Sequence, residues 1–151
     1  MQVREIMTKN PACCTPDTPL REVAKAMVDN DCGEIPIVRS ASDGTLVGVV
    51  TDRDIVCRFV AQNRNPLEAT AESCMSSPVV AVRESTQVEE CAKIMEDSQI
   101  RRVPVVNGGG MCCGIVSQAD IANNASRRVT ADLVKDVSQP SSSPSNTQMS
   151  H

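Results

Sequence analysis

The chain repeats itself. Displaced by 68 residues, Met7 falls on Met75, Ala24, Lys25, Met27 and Asp29 fall on Ala92, Lys93, Met95 and Asp97, and Pro36 and Val38 fall on Pro104 and Val106. A loop two residues shorter then changes the offset to 66, and Gly48, Val50, Asp54 and Ile55 meet Gly114, Val116, Asp120 and Ile121. An internal repeat constrains architecture before any chemistry is considered, because each unit must bury an apolar face against something. A unit of roughly 60 residues is close to the lower limit for a self-sufficient core. The two copies are therefore expected to share a core, to pack about a pseudo-twofold axis, and to leave two clefts between them.

Each copy reads β-α-β-β-α, an α/β (α+β) pattern. In the first, residues 3–7 read as a short lead-in helix or turn and Ala12 to Thr15 as a short strand. Thr18-Pro19 opens a helix, with Thr18 as cap and Leu20, Val23, Ala24, Met27 and Val28 on one apolar face. Glu34 to Val38 is a strand whose Pro36 predicts an edge position. Asp43-Gly44 marks the hairpin. Leu46 to Val50 is a continuous apolar strand, expected to be buried on both faces. Thr51 caps a second helix carrying Ile55, Val56, Phe59 and Val60. The second copy repeats these steps: strand 79–82, a helix capped by Thr86 with Val88, Cys91, Ala92 and Met95 inward, strand 102–106, a turn at Gly108, Gly109 and Gly110, strand 111–116, and a helix capped by Ser117. The boundaries expected are repeat one at 1–61, a linker at 62–72, repeat two at 73–126, a short helix at 127–137 and a disordered Ser/Pro-rich tail at 138–151.

Composition removes several function classes. The net charge of −4 argues against nucleic acid as partner, since neutralising phosphates needs a basic face. With one Phe and no Tyr or Trp, there is no platform on which bases could stack. The single histidine is the terminal His151, a poor catalytic candidate. No apolar stretch is long enough to span a membrane or resembles a signal peptide, so a cytoplasmic location is expected. Eight cysteines stand at 13, 14, 32, 57, 74, 91, 112 and 113. None forms a C-x-x-C and no histidine completes a zinc set, so they read as small buried hydrophobes in a reducing cytosol. No metal site is expected. The glycine triplet lacks the Gly-Lys-[Ser/Thr] that would make a P-loop, and Arg127-Arg128 reads as solvated helix charge.

The sharpest pattern follows each long strand: Gly48-Val49-Val50-Thr51-Asp52-Arg53-Asp54 and Gly114-Ile115-Val116-Ser117-Gln118-Ala119-Asp120. Each runs glycine, two β-branched residues, a hydroxyl, two variable residues, aspartate. The hydroxyl and the free N–H groups of a helix start suit an anion. The aspartate, one turn on, can accept both hydroxyls of a ribose. Gly48 and Gly114 allow two strands, or a ligand, to come close. The competing reading is a capping box, which ordinarily has Glu or Gln at the last place. Recurrence of the pattern at the same topological point of both copies favours a sugar–phosphate site. No nucleophile, histidine or metal set accompanies Asp52, Arg53 and Asp54, so no enzyme is expected.

The twin β-α-β-β-α units, the strands Ile35-Pro36-Ile37-Val38 and Val103-Pro104-Val105-Val106, and the paired Gly-h-h-[Thr/Ser]-x-x-Asp endings resemble a tandem of CBS domains, also called a Bateman module. Thr51-Asp52-Arg53-Asp54-Ile55 and Arg101-Arg102-Val103-Pro104 are especially similar to short stand-alone bacterial CBS-pair proteins. The resemblance covers about residues 3–125. It implies a flat homodimer and binding of adenosine-containing ligands (AMP, ADP, ATP, S-adenosylmethionine or NAD-like molecules) in clefts between the repeats. It also implies that Asp54 and Asp120 hold the ribose, that Thr51 and Ser117 lie near phosphate, and that Val49, Ile115, Ile35 and Val103, the last two beside Pro36 and Pro104, line the adenine slot. Thr18 and Thr86 match a further contact. Arg101 and Arg102 match phosphate-binding positions, where the first copy has Gly33 and Glu34. A carboxylate there would repel phosphate by up to a few kcal/mol. One phosphate-tolerant cleft and one weak or nucleoside-only cleft are expected. The resulting expectation is a non-catalytic ligand sensor acting in trans on an unknown effector protein. The alternatives are a cysteine-based redox- or metal-responsive protein and a purely structural dimerisation module.

Overall fold

The computed structural model describes residues 1–124. The expected helix at 127–137, the tail from 138, Arg127-Arg128 and His151 lie outside them. In chain order come a 3-10 turn (Val3–Glu5), β1 (Thr8–Lys9), α1 (Leu20–Asp29), β2 (Glu34–Ser40), β3 (Asp43–Thr51) and α2 (Asp52–Ile55), which widens into a π-helical turn over Val56–Val60. A 3-10 turn (Pro66–Glu68), α3 (Ala71–Cys74), β4 (Val82–Arg83), α4 (Val88–Ser98), β5 (Arg102–Val106), β6 (Cys112–Ser117) and α5 (residues 118–124) follow. Strands β2 and β3 form one antiparallel sheet. The other has the order β1-β6-β5-β4, with β4 parallel to β5.

The repeats exchange their lead-in segments. β1 belongs to the first copy in sequence, yet it pairs with β6 of the second, Thr8 opposite Ile115. Reciprocally, Ser76 at the start of the second copy pairs with Val49 in β3. Gln2 bridges to Gln87 and, in the matching place, Thr70 bridges to Pro19. Each exchange settles a helix start. The Leu20 N–H donates to the Ala69 carbonyl at 2.8 Å, and the Val88 N–H to the Met1 carbonyl at 2.9 Å. These are among the N–H groups that a helix cannot satisfy itself.

That pairing corrects the expected caps. Thr18 and Thr86 do not cap α1 and α4: the residues before the helices are Pro19 and Gln87, neither with a side-chain cap bond. The two hydroxyls turn back instead, Thr18 Oγ1 accepting from the Thr15 N–H at 3.0 Å and Thr86 Oγ1 from the Arg83 N–H at 3.1 Å.

Two buried clusters form rather than one shared core. Around β2, β3 and α1 lie Leu20, Val23, Met27, Ile35, Ile37, Val50 and Phe59, closed by Ala71 from the stretch expected to be a polar linker and by Cys74 from the start of the second repeat. Around β5, β6 and α4 lie Val82, Cys91, Met95, Val103, Val105 and Val116, closed by Val3 from the N-terminus. Neither unit is large enough to close alone, and each is completed by the other's lead-in.

Gly48 and Gly114 have this close approach as their role. A methyl at Gly48 would lie 2.8 Å from the Met75 sulfur and 3.0 Å from the Ser76 carbonyl. One at Gly114 would lie 2.5 Å from the Met7 sulfur and 3.0 Å from the Thr8 carbonyl. The repeated methionines and glycines are thus contact partners across the exchange.

Several local expectations shift. The hairpin turns at Ala41-Ser42, two residues before Asp43-Gly44, whose aspartate instead accepts from both the N–H and the hydroxyl of Thr45. The Gly108–Gly110 turn falls as expected, its second half tied by Asn107 Oδ1. Of the strands expected at 12–15 and 79–82, only an isolated bridge at Cys14 and the two-residue β4 form. Pro36 does lie on the outer side of β2, where that one bridge to Cys14 is the neighbour; Pro104 instead sits in an internal strand, one residue before β4 takes up register. Leu46, Val47, Cys112 and Cys113 are half-buried, so β3 and β6 are not buried on both faces throughout. Val28, Val56 and Val60 stand in solvent while Phe59 is buried, because α1 has one inward stripe and the π-widened turn after α2 presents one. The cysteines are not uniformly inert fillers: Cys74 and Cys91 are buried, Cys13 and Cys57 are exposed, and the other four are half-buried.

Candidate functional site

The strand register assembles the residues singled out by the repeat. In the first copy Glu34 lies opposite Thr51 and Pro36 opposite Val49; in the second Arg102 lies opposite Ser117 and Pro104 opposite Ile115. The start of one strand and the helix leaving its neighbour therefore sit side by side, twice. The Gly33 carbonyl accepts from the Asp52 N–H at 2.9 Å, and the Arg101 carbonyl from the Gln118 N–H at 2.8 Å.

Both Thr/Ser-x-x-Asp motifs form a reciprocal cap. Thr51 N–H donates to Asp54 Oδ2 at 3.0 Å while Asp54 N–H donates to Thr51 Oγ1 at 3.0 Å. Ser117 N–H donates to Asp120 Oδ2 at 2.9 Å and Asp120 N–H to Ser117 Oγ at 3.1 Å. The capping-box reading thus describes the geometry of both copies, with Asp where Glu or Gln is usual. It does not exhaust the carboxylates. Each oxygen has two lone pairs, and Asp54 Oδ1 faces only the Arg58 guanidinium, at 3.8 Å. Asp54 is 16% exposed, held rigid by its cap and not turned into bulk water.

Arg58 escaped the sequence reading. Its guanidinium donates to the Cys74 carbonyl at 2.8 Å and to Ser76 Oγ at 3.1 Å, so it pins the exchanged segment beside Asp54. The available signal was a basic residue four positions after the aspartate, on the same helical face. The second copy has Asn124 there, buried.

The charges at the pseudo-equivalent positions 34 and 102 differ in sign. Glu34 is 5% exposed, and its Oε2 has no hydrogen-bond partner among the described residues. Burial pushes its carboxyl up to about 7, against the pull of Arg102 and with the push of Asp54. Arg102 reaches from β5 to the first copy. A methyl at Gly33 would lie 3.1 Å from Arg102 Nη1 and 2.7 Å from Asp52 Oδ2. Arg102 lines a cavity of about 540 Å³ there, together with Asp31, Asp52 and apolar residues including Val28 and Val56. Its side chain therefore lies between the copies rather than within the second alone. Arg101 is exposed.

Other expected contacts are placed differently. Ile35 and Val103 are fully buried members of the two cores, Val49 is buried and Ile115 half-buried. Thr18 lines a separate cavity of about 490 Å³ that contains neither Asp54 nor Asp120. Thr86 is tied to the turn before α4. Among the described residues, no group of three or more His, Cys, Asp or Glu is placed to hold a metal ion, and no helix is long and apolar enough to cross a membrane.

Comparison with known proteins agrees with this arrangement. The chain is 33% identical over 137 residues to Hypoxic response protein 1 of Mycobacterium tuberculosis, covering 91% of this chain and 94% of that protein. The solved structure of Hypoxic Response Protein I, which has two coordinated zinc ions, superposes with a TM-score of 0.73 over 82% of this chain and 98% of that one. The CBS domain pair of protein MJ0100, in complex with 5′-methylthioadenosine and S-adenosyl-L-methionine, matches at 30% identity and TM-score 0.75 over 85% and 98% of the two chains. A CBS domain protein of Pyrobaculum aerophilum complexed with AMP matches at 28% and 0.76 over 89% and 99%. The chain spans 61% of the length of the uncharacterized protein MK0525 of Methanopyrus kandleri, at 35% identity. CBS domains are non-catalytic regulatory modules, and the CBS family model matches residues 3–60 and again 71–127. The chain belongs to the CBS-domain family, as a tandem pair of repeats packed together in one Bateman module.

Proposed function

We propose that this protein is a ligand-sensing regulatory subunit that binds an adenosine-containing metabolite beside Asp54, Asp120 or both, and acts on a partner in trans. The observation that carries the reading is the duplicated, cap-locked aspartate: in each copy a carboxylate is held with lone pairs to spare beside a hydroxyl, at the same point of the fold. A rigid acceptor of that kind suits a ribose diol, because its own ordering cost is already met. The ligands held by MJ0100 and the Pyrobaculum protein, both at TM-scores above 0.7, support the adenosyl class.

The two sites differ in what they accept at the 5′ end. Glu34 stands beside Thr51, so the first site disfavours phosphate and favours a neutral or cationic substituent. Arg102 leaves β5 opposite Ser117, and its guanidinium lies between the copies beside Gly33, so it is the cation that a phosphate reaching from the second site towards that gap would meet. The ligand acts by binding two arrangements of the repeats, or of a partner, with different affinity. Two copies pair through α1 and the turn after α2, where Val28 at 79%, Val56 at 55% and Val60 at 60% exposure present apolar surface without cover. Calorimetric titration with adenosine, AMP, ATP and S-adenosylmethionine tests the reading. Binding of at least one is expected, and heat from none would leave the clefts vestigial.

A further inference from the structure

The cysteines supply an observation that the ligand sites do not use. Cys13, in the loop ahead of α1, and Cys112, in β6, come from different repeats and lie 99 positions apart. They line one cavity, together with Cys14. Within it the two thiols lie close enough to influence each other, while the Cys13 thiol donates to the Pro11 carbonyl at 3.3 Å and the Cys112 thiol to the Gly114 carbonyl at 3.8 Å. Cys13 is exposed and Cys112 half-buried, so one sulfur is open to solvent while the other is sheltered behind it. The proximity polarises the pair: the neighbouring Cys112 lowers the Cys13 thiol below its ordinary value, while Cys13 and burial raise Cys112. An exposed thiol shifted downward, set against a sheltered one shifted upward, is the arrangement an attacking and a resolving cysteine need. The repeat does not explain the pair. The offsets of 68 and 66 map Cys13 to Ala81 and Cys112 to Leu46, so the mirror-related place carries no thiol.

We propose that Cys13 and Cys112 form a reversible thiol–disulfide site, oxidised by a hydroperoxide, that ties the two repeats together covalently. The Cys13 thiolate attacks one peroxide oxygen. The O–O bond breaks and leaves a sulfenic acid on Cys13, and the departing hydroxide or alkoxide takes up a proton. Cys112 sulfur then attacks the Cys13 sulfur and displaces hydroxide, which leaves as water with the Cys112 proton. Two thiols lose two electrons, and the peroxide becomes two molecules of water, or water and an alcohol. A dithiol reductant reverses the change.

The test uses the full chain, reduced and then treated with hydrogen peroxide. Free thiols are blocked, and the digest is mapped without reduction. A peptide joining Cys13 to Cys112 is expected, released by dithiothreitol, with a higher melting temperature for the oxidised protein. In Cys112→Ser a sulfenic acid accumulates on Cys13 and is captured by a dimedone probe; in Cys13→Ser, Cys112 stays reduced. Cys13 also alkylates at least several-fold faster at neutral pH than Cys57, which is exposed but outside the cluster. Linkage of Cys13 to any other cysteine, or no Cys13–Cys112 peptide after peroxide whatever the alkylation rates, overturns the proposal.

Discussion

Replacing Glu34 by Gln changes how stability depends on pH, by an amount the structure sets. The Glu34 carboxyl is 5% exposed, its Oε2 has no hydrogen bond among the described residues, and burial raises it from 4.5 to about 7. Between those values the folded protein holds a proton on Glu34 that the unfolded chain has released. Stability therefore falls as pH rises. The contribution is complete below pH 4.5 and gone above about 7. At 1.36 kcal/mol per unit, the shift corresponds to about 3 kcal/mol. The glutamine cannot ionise, so it lacks this dependence. Its buried amide carries its own cost, roughly 1–3 kcal/mol for an unpaired polar group, but that cost does not change with pH. The quantity to compare is thus the stability difference between Glu34→Gln and the parent from pH 4.5 to 8.5, by urea denaturation. It should move by about 3 kcal/mol in favour of glutamine across the range. Every other titrating group is common to both proteins and cancels. Parallel curves would refute the reasoning, because Glu34 would then ionise as freely folded as unfolded.

Three other outcomes follow from the same contacts. Asp120→Asn keeps an oxygen for the Ser117 N–H cap but loses charge, and should weaken adenosyl binding at the second site by about 1.5–3 kcal/mol, read by calorimetry, with little change in melting temperature. Gly114→Ala drives a methyl against Met7 and the Thr8 carbonyl, and should cost roughly 1–3 kcal/mol in chemical denaturation; if Met7→Ala in the same chain recovers none of it, the contact across the exchange is not the cause. Arg102→Ala should lower affinity for AMP and ATP while sparing adenosine; equal losses for all three would remove phosphate recognition from this arginine.

What could be read in the chain beforehand was whatever the repeat encodes locally. The β-α-β-β-α order, the glycine turn at 108–110 and the Thr/Ser-x-x-Asp caps depend on neighbours in sequence, and the duplication doubled each signal. The exchange of lead-ins was hidden because Val3, Ala71 and Cys74 have the same apolar pattern whichever copy they close. Thr18 and Thr86 looked like caps because Thr-Pro and Thr-Gln before an apolar helix commonly are. Nothing local indicated that the carbonyls of Ala69 and Met1 would supply the first helical N–H groups. Cysteine burial was misjudged for a related reason: the residue type suits the interior, but only tertiary packing left Cys13 in solvent and brought Cys112 to it. The Arg102 placement is also non-local, since its guanidinium finds space only because position 33 is glycine.

The most direct test of a nucleoside-sensing duplicated fold is calorimetric titration of the protein with adenosine, AMP and S-adenosylmethionine, in the parent and in Asp54→Asn with Asp120→Asn combined. The account predicts measurable heat for at least one of the three in the parent, and its loss in the double variant while melting behaviour is preserved. Undiminished binding in the double variant would contradict it, because the duplicated carboxylates would then have no part in holding the sugar.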